Sequence, residues 1–162
     1  MGFGEKWSEW WRRFLGFSQD KSRKTVDVLR RRYIEEMQQA DRFKRHAEKM
    51  HYPQFSEKLH AIANEKKKHA EQIAEKLAAL GCKLPAVPEN PSSGENSWRQ
   101  LLNALDEEYR SVDQLVNQLR GIESDHRDII ELLQQISQEQ KKHRDEIREM
   151  LMRSDPFALS LA

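Results

Sequence analysis

The sequence predicts an all-α chain, four long helices packed as one bundle and preceded by an amphipathic helix. Three observations predict it. A segment occurs twice: residues 62–77 read IANEKKKHAEQIAEKL and residues 136–151 read ISQEQKKHRDEIREML, with half of the aligned positions identical, among them Glu65/Glu139, His69/His143 and Leu77/Leu151. A repeat of this length, apolar at helical spacing in both copies, predicts two similar helical hairpins. Charged residues make up 34% and hydrophobic ones 37%, with few glycines and prolines, a profile that suits long amphipathic helices better than a sheet. Residues 82–97 (CKLPAVPENPSSGENS) form the one long connection in the body of the chain, enough extended backbone to travel the length of a bundle.

The elements follow in order. Residues 3–17 carry Phe3, Trp7, Trp10, Trp11, Phe14 and Phe17 at three- and four-residue steps, a short amphipathic helix, and SQDKSRK links it to the next. Helix 1 is expected from about Thr25 to Met50, with Val26, Leu29, Tyr33, Met37, Ala40, Phe43 and Ala47 facing inward. His51-Tyr52-Pro53 breaks it, and Pro53 suits a first helical turn because its missing N–H would be unpaired there anyway. Helix 2 then runs to about Leu80 and stops at Gly81. Ser97 with Gln100 resembles a capping box opening helix 3, whose apolar face is Trp98, Leu101, Leu102, Leu105, Tyr109, Val112, Leu115, Val116 and Leu119. A break near Gly121–Ser124 leads to helix 4, with Ile129, Leu133, Ile136, Gln140, His143, Ile147 and Met150 on its stripe. Short loops make the neighbours antiparallel, and the long one is a crossover between helices 2 and 3. The domain boundaries expected are an aromatic segment and linker at 1–24, the bundle at 25–153 and a tail at 154–162.

Composition removes several functions. Twenty-eight basic residues face 27 acidic ones, so no global field favours nucleic acid. Residues 1–32 nevertheless hold nine Lys/Arg against four Asp/Glu. Cys82 is the one cysteine, so neither an internal disulfide nor a Cys-x-x-Cys site is available. No apolar run approaches the ~20 residues that span a bilayer. The N-terminus lacks a secretory h-region, and Lys6 stands where a myristoylation motif wants Ser or Thr. The expected location is the cytoplasm, with peripheral contact at the cytoplasmic membrane face as its extension. Glycine-rich phosphate loops and Ser or Cys nucleophile motifs are absent from the sequence.

Chemistry-bearing residues remain on the inner stripes: Lys66 and His69 on helix 2, Gln140 and His143 on helix 4. A lysine facing a core needs a partner. The expectation is a central polar layer of Tyr33, Glu36, Lys66, His69, Glu108, Gln140 and His143, with Lys66 paired to Glu36 or Glu108 and fixing helix register.

The stretch from Tyr33 to Gly81, including HAEKMHYPQFSEKLHAIANEKKKHAEQIAEKLAALG, resembles the first hairpin of the rubrerythrin branch of the ferritin-like superfamily. The likeness lies in a Tyr at the interhelical turn (Tyr52), the spacing to His69, and the Glu and His-Ala on helix 2. With the repeat and the crossover it covers residues 25–153. The resemblance implies a ferritin-like four-helix bundle and a di-iron site built from a carboxylate on helices 1 and 3 and a Glu-x-x-His pair on helices 2 and 4. Here Lys66 stands three before His69 and Gln140 three before His143. Tyr33 occupies the matching helix 1 position with Glu36 one turn on, and Glu107 or Glu108 matches on helix 3.

From this departure the expectation is a non-catalytic accessory subunit with no catalytic residues and no cofactor. It would dock through Phe3, Trp7, Trp10, Trp11, Phe14 and Phe17 onto a protein partner or a larger, membrane-associated complex, a homodimer being a further arrangement. The rival reading is a metal-binding or iron-oxidising protein with an altered site at Glu36, Glu65, His69, Glu108, Glu139 and His143, holding iron, manganese or zinc. Glu65 and Glu139 each lie four before a histidine, and side chains at that spacing meet on a helix.

Overall fold

The computed structural model describes the backbone of residues 3–91, 95–122 and 124–155, and side chains from residue 23 onward within those limits, Ser124 excepted. The chain forms α1 (Phe3–Lys49), α2 (Pro53–Ala79), α3 (Ser97–Leu119) and α4 (Arg127–Arg153), with a 3-10 turn at Ser124–His126 before α4. No strand occurs among the described residues. The closest packing is within the hairpins α1–α2 and α3–α4, and α1 also touches α3 as α2 touches α4.

The linker expected at residues 18–24 is helical: α1 continues through it as one helix of 47 residues. The segment contains no proline, and Gly16 costs about 1 kcal/mol without terminating a helix. The tight turn at residues 50–52 makes α1 and α2 antiparallel. As α2 has only 27 residues, α1 runs on past its partner by roughly 30 Å. The six aromatic side chains named above lie on this extension, and their placement is outside the described side chains, as the tail Pro156–Ala162 is outside the described residues altogether.

Helix ends follow local chemistry. Pro53 opens α2, and Ser56 Oγ donates to the Ala47 carbonyl at 2.7 Å, a second bond to an acceptor in the last turn of α1 that also takes the Met50 N–H. Gly81 ends α2 at φ 73°, a left-handed conformation that a Cβ disfavours. There Cys82 N–H donates to Leu77 and Gly81 N–H to Ala78, the paired bonds of a Schellman motif. The cap of α3 is one residue earlier than the capping box suggests. Asn96 Oδ1 accepts from Arg99 N–H at 2.9 Å, Ser97 is already helical, and Gln100 Nε2 donates to the Glu95 carbonyl. Asn is at least as good a cap as Ser, so the competition is settled by one residue of register.

The crossover lies along α1. Asn90 Nδ2 donates to the Gln38 carbonyl at 2.7 Å, and Gln38 Nε2 donates to the Pro88 carbonyl. It thereby returns the chain to the opposite end of the bundle before α3 begins.

The core has two apolar clusters. One gathers Phe43, Met50, Phe55, Leu59, Ile62, Leu101, Ile147 and Met150. The other gathers Leu29, Ile73, Leu77, Leu115, Ile122, Ile129, Leu133 and Ile136. Between these clusters every helix carries buried polar residues. The faces differ from the simplest stripe reading: Tyr109 and Val116 are 43% exposed, while Glu108 and Ser111 take the interior. On α1, Arg32 and Glu36 face inward with no exposure, and Tyr33 and Met37 are only half-buried. A rotation of about one residue, 100°, decides which of two adjacent stripes is inside.

Candidate functional site

The belt between the clusters draws on all four helices: Arg32 and Glu36 from α1, Lys66 and His69 from α2, Glu108 and Ser111 from α3, Gln140 and His143 from α4. Each is at most 4% exposed. Burial of so many polar groups requires partners. Lys66 Nζ is 2.5 Å from Glu108 Oε1. The contact is an ion pair without hydrogen-bond angles, and the ammonium also lies 6.0 Å from the Phe43 ring centroid. Gln140 Nε2 donates to Glu36 Oε1 at 3.1 Å and to Ser111 Oγ at 3.0 Å. Arg32 Nη1 donates to the same Ser111 Oγ at 2.7 Å, and Nη2 reaches Gln118 Oε1 at 3.2 Å. The Arg32 guanidinium is 3.9 Å from Glu36 and 3.3 Å from Glu35.

The two histidines lie side by side, ring centroids 6.3 Å apart. Antiparallel register of α2 and α4 sets Glu65 against His143 and Glu139 against His69. His143 Nε2 is 2.5 Å from Glu65, and His69 Nε2 makes a short contact with Glu139. These crossed pairs are related by the internal repeat. His69 Nδ1 is also 3.3 Å from Glu36, whereas His143 Nδ1 is buried without a partner.

The electrostatics follow from these contacts. Burial pushes the Glu36 carboxyl up. The Lys66 charge, the His69 hydrogen bond and charge, and Arg32 outweigh it and hold the group below its ordinary range. Burial pushes His69 down, but Glu36 and Glu139 raise it above its ordinary value. Glu139 is raised by burial and lowered further by His69 and Gln135, ending below its ordinary value. His69 therefore stands between two carboxylates that favour its protonated form.

Of the residues expected in the layer, the structure brings Glu36, Lys66, His69, Glu108, Gln140 and His143 into the belt. Tyr33 lies apart, packed at half burial against the second apolar cluster. Between the helix 3 candidates, Glu108 is inside, and Glu107 pairs with Arg42 at 2.8 Å near the surface. Arg32, Ser111 and Gln118 join the belt beyond the sequence expectation. Arg32 sits in an Arg30-Arg31-Arg32 run that reads as a solvated face, and its only sequence signal is its four-residue spacing to Glu36.

The family model for the ferritin-like domain matches residues 43–155. The chain belongs to the ferritin-like family. Among solved structures it is similar to a Desulfovibrio desulfuricans bacterioferritin, with TM-score 0.72, 18% identity and coverage of 82% of this chain and 81% of that one. It is also similar to an open pore ferritin from Archaeoglobus fulgidus, with TM-score 0.68, 18% identity and coverage of 80% and 84%. An engineered closed form of the Archaeoglobus protein aligns at TM-score 0.67 and 18% identity, covering 80% and 83%. At this identity the likeness shows the fold. No curated protein matches the sequence.

Membership corrects one expectation. The bacterioferritin is described by its diiron site, and beside that likeness the expectation of no cofactor does not stand. The ligand set of a di-iron centre is a separate matter, and the residues here do not fit it. Lys66 and Gln140 replace the two glutamates of the Glu-x-x-His pairs, and a cation at 2.5 Å from Glu108 repels a metal from that carboxylate. Among the described residues, no three His, Cys, Asp or Glu side chains stand in metal-holding geometry. The described helices also include none long and apolar enough to cross a membrane.

Proposed function

We propose that this chain is a non-catalytic interaction subunit of the ferritin-like family, using its bundle as a rigid body and its N-terminal helix as the docking element for a larger protein complex. The observation that carries the reading is the length of α1. It outruns α2, and the sequence on the overrun has aromatic residues at helical spacing, three of them tryptophan. Tryptophan is enriched where protein partners anchor. The excess of basic residues over residues 1–32 favours a complex at an anionic membrane face, in the cytoplasm. The centre supports the same reading, since the position that would carry a ligand on α2 holds an ammonium paired with Glu108. The rubrerythrin-like wording of the first hairpin belongs to the proposal too, as the branch from which the scaffold descends.

The test is deletion of residues 1–17. The expected outcome is a bundle with unchanged helicity and melting that no longer co-purifies with its native partner from soluble and membrane fractions. Retained association overturns the proposal. A collapse of melting temperature shows instead that the segment folds back onto the bundle. Flotation of the full chain with anionic vesicles, free of protein, identifies lipid as the receptor and overturns the protein partner.

A second reading is favoured by the crossed histidine–glutamate pairs. Glu65, His69, Glu139 and His143 bring two imidazoles and two carboxylates to one edge of the belt, residue types that bind zinc, iron or manganese, and these side chains would have to turn from one another to gather around one ion. Glu36 and Glu108 complete the wider altered site of a metal-binding or iron-oxidising protein. Stoichiometric metal that disappears on His69→Ala and His143→Ala establishes this reading over the first.

A further inference from the structure

The belt contains a charge arrangement that the docking proposal does not use. Two cations, Arg32 and Lys66, and two carboxylates, Glu36 and Glu108, are all essentially without exposure. A bundle centre of the di-iron kind is organised around metal cations held by carboxylates of all four helices. In this chain a carboxylate of α1, Glu36, and one of α3, Glu108, are in the belt, the histidines are present, and the departures within the belt are at residues 66 and 140. At residue 66 a lysine in place of a glutamate changes the local charge by two units, and its ammonium reaches Glu108. At residue 140 an amide donates two hydrogen bonds, one of them to Glu36, where a second carboxylate would repel. Five atoms of the same group of residues have no hydrogen-bond partner: Glu108 Oε2, Gln140 Oε1, His143 Nδ1, Arg32 Nε and Lys66 Nζ. Unpaired polar atoms in a belt that holds a buried ammonium fit a coordination shell in which a side-chain cation stands in place of metal.

We infer that Lys66 and Arg32 are resident counter-ions of the buried carboxylates, occupying the electrostatic role of a metal pair, and that residues 66 and 140 are the positions that decide whether this centre takes one. The inference concerns the buried centre and stands or falls independently of the docking helix.

Two experiments test it on the full chain. In the first, Lys66→Glu and Gln140→Glu are combined, and binding of Zn²⁺ and Mn²⁺ is measured by calorimetry against the unchanged chain. The double variant is expected to bind roughly 100-fold more tightly, because a repelling cation has become a ligand. Equal affinity in both chains, or no binding by a double variant that remains folded, overturns the inference. The second experiment needs no metal and covers the case in which four buried carboxylates prevent folding. Lys66→Met and Glu108→Leu are made singly and together, and thermal melts are recorded in chelator. Each single change strands one buried charge and is expected to lower Tm by roughly 10 °C, while the pair recovers most of that loss. Losses that simply add show that Lys66 is not the counter-ion of Glu108, and the inference fails.

Discussion

The two copies of the repeated segment, on α2 and α4, have nearly the same edge and different centres. At the edge, Glu65 meets His143 and Glu139 meets His69, as the internal symmetry requires. One step inward the copies part. Lys66 forms an ion pair with α3, whereas Gln140 bridges Glu36 of α1 to Ser111 of α3. His69 is held at both ring nitrogens and His143 at one. Similar sequence on two helices therefore does not give equivalent sites, because each copy faces a different pair of neighbours. Glu36 on α1 has Glu108 as its counterpart on α3, whereas the residue buried beside Glu108 is the serine Ser111 and not a cation like Arg32.

That comparison can be broken or sharpened by experiment. The largest effect is expected from His69→Ala, which removes a partner from both Glu36 and Glu139; a loss of roughly 3–4 kcal/mol should appear in denaturant melts. His143→Ala removes one contact to a half-exposed carboxylate and should cost about half as much. Equal losses would mean that the copies are equivalent after all.

The pH dependence separates His69 from a second buried histidine. His46 is pushed down to about 4, chiefly by burial, with Lys49 adding to this and the Ser97 backbone opposing it. Its folded value lies below its ordinary 6.5, so the unfolded chain takes the proton first, and stability falls as pH drops from 6.5 towards 4. His69 is raised, so its contribution is complete below 6.5 and is lost as pH rises through the folded value. Glu36 and Glu139 are lowered, and their contribution is lost as pH falls below 4.5 through their folded values. Stability should therefore peak near pH 6.5. His46→Phe should flatten the acid side by on the order of 3 kcal/mol, and His69→Ala should flatten the alkaline side. A His69→Ala curve that keeps the alkaline fall would contradict the upward shift of His69 between its two carboxylates.

The smallest contrast is between the edge carboxylates. Glu139 is 29% exposed and Glu65 is 55% exposed. Glu139→Gln should cost about 1 kcal/mol and Glu65→Gln a few tenths, both readable as shifts of the urea midpoint. The reverse order would place the stronger clasp on the α4 histidine.

How much of this was legible differs by element. Pro53 and Gly81 mark the ends of α2 from sequence alone, because each acts through its own backbone. The crossover announces itself by prolines and length. The Glu-x-x-His departures at Lys66 and Gln140 are equally visible, since spacing on one helix needs no partner to be read. Burial of Arg32 is not visible. Residues 32/36 and 33/37 form adjacent stripes on α1, and Tyr33 with Met37 gives the 33/37 stripe the more apolar character, which points to the wrong face as the core side.

By itself the sequence determined that the chain is helical, where most helices break, that two hairpins repeat, and that a lysine and a glutamine stand at the ligand spacing. Each of these is a property of local backbone preference or of periodicity along one helix. Only the tertiary structure decided which α1 face turns inward, that Lys66 finds Glu108, and that each histidine reaches the carboxylate of the other copy. Those choices depend on the rotation and register of four helices against one another. The energy that sets them is shared among partners distant in sequence, so no single segment encodes it.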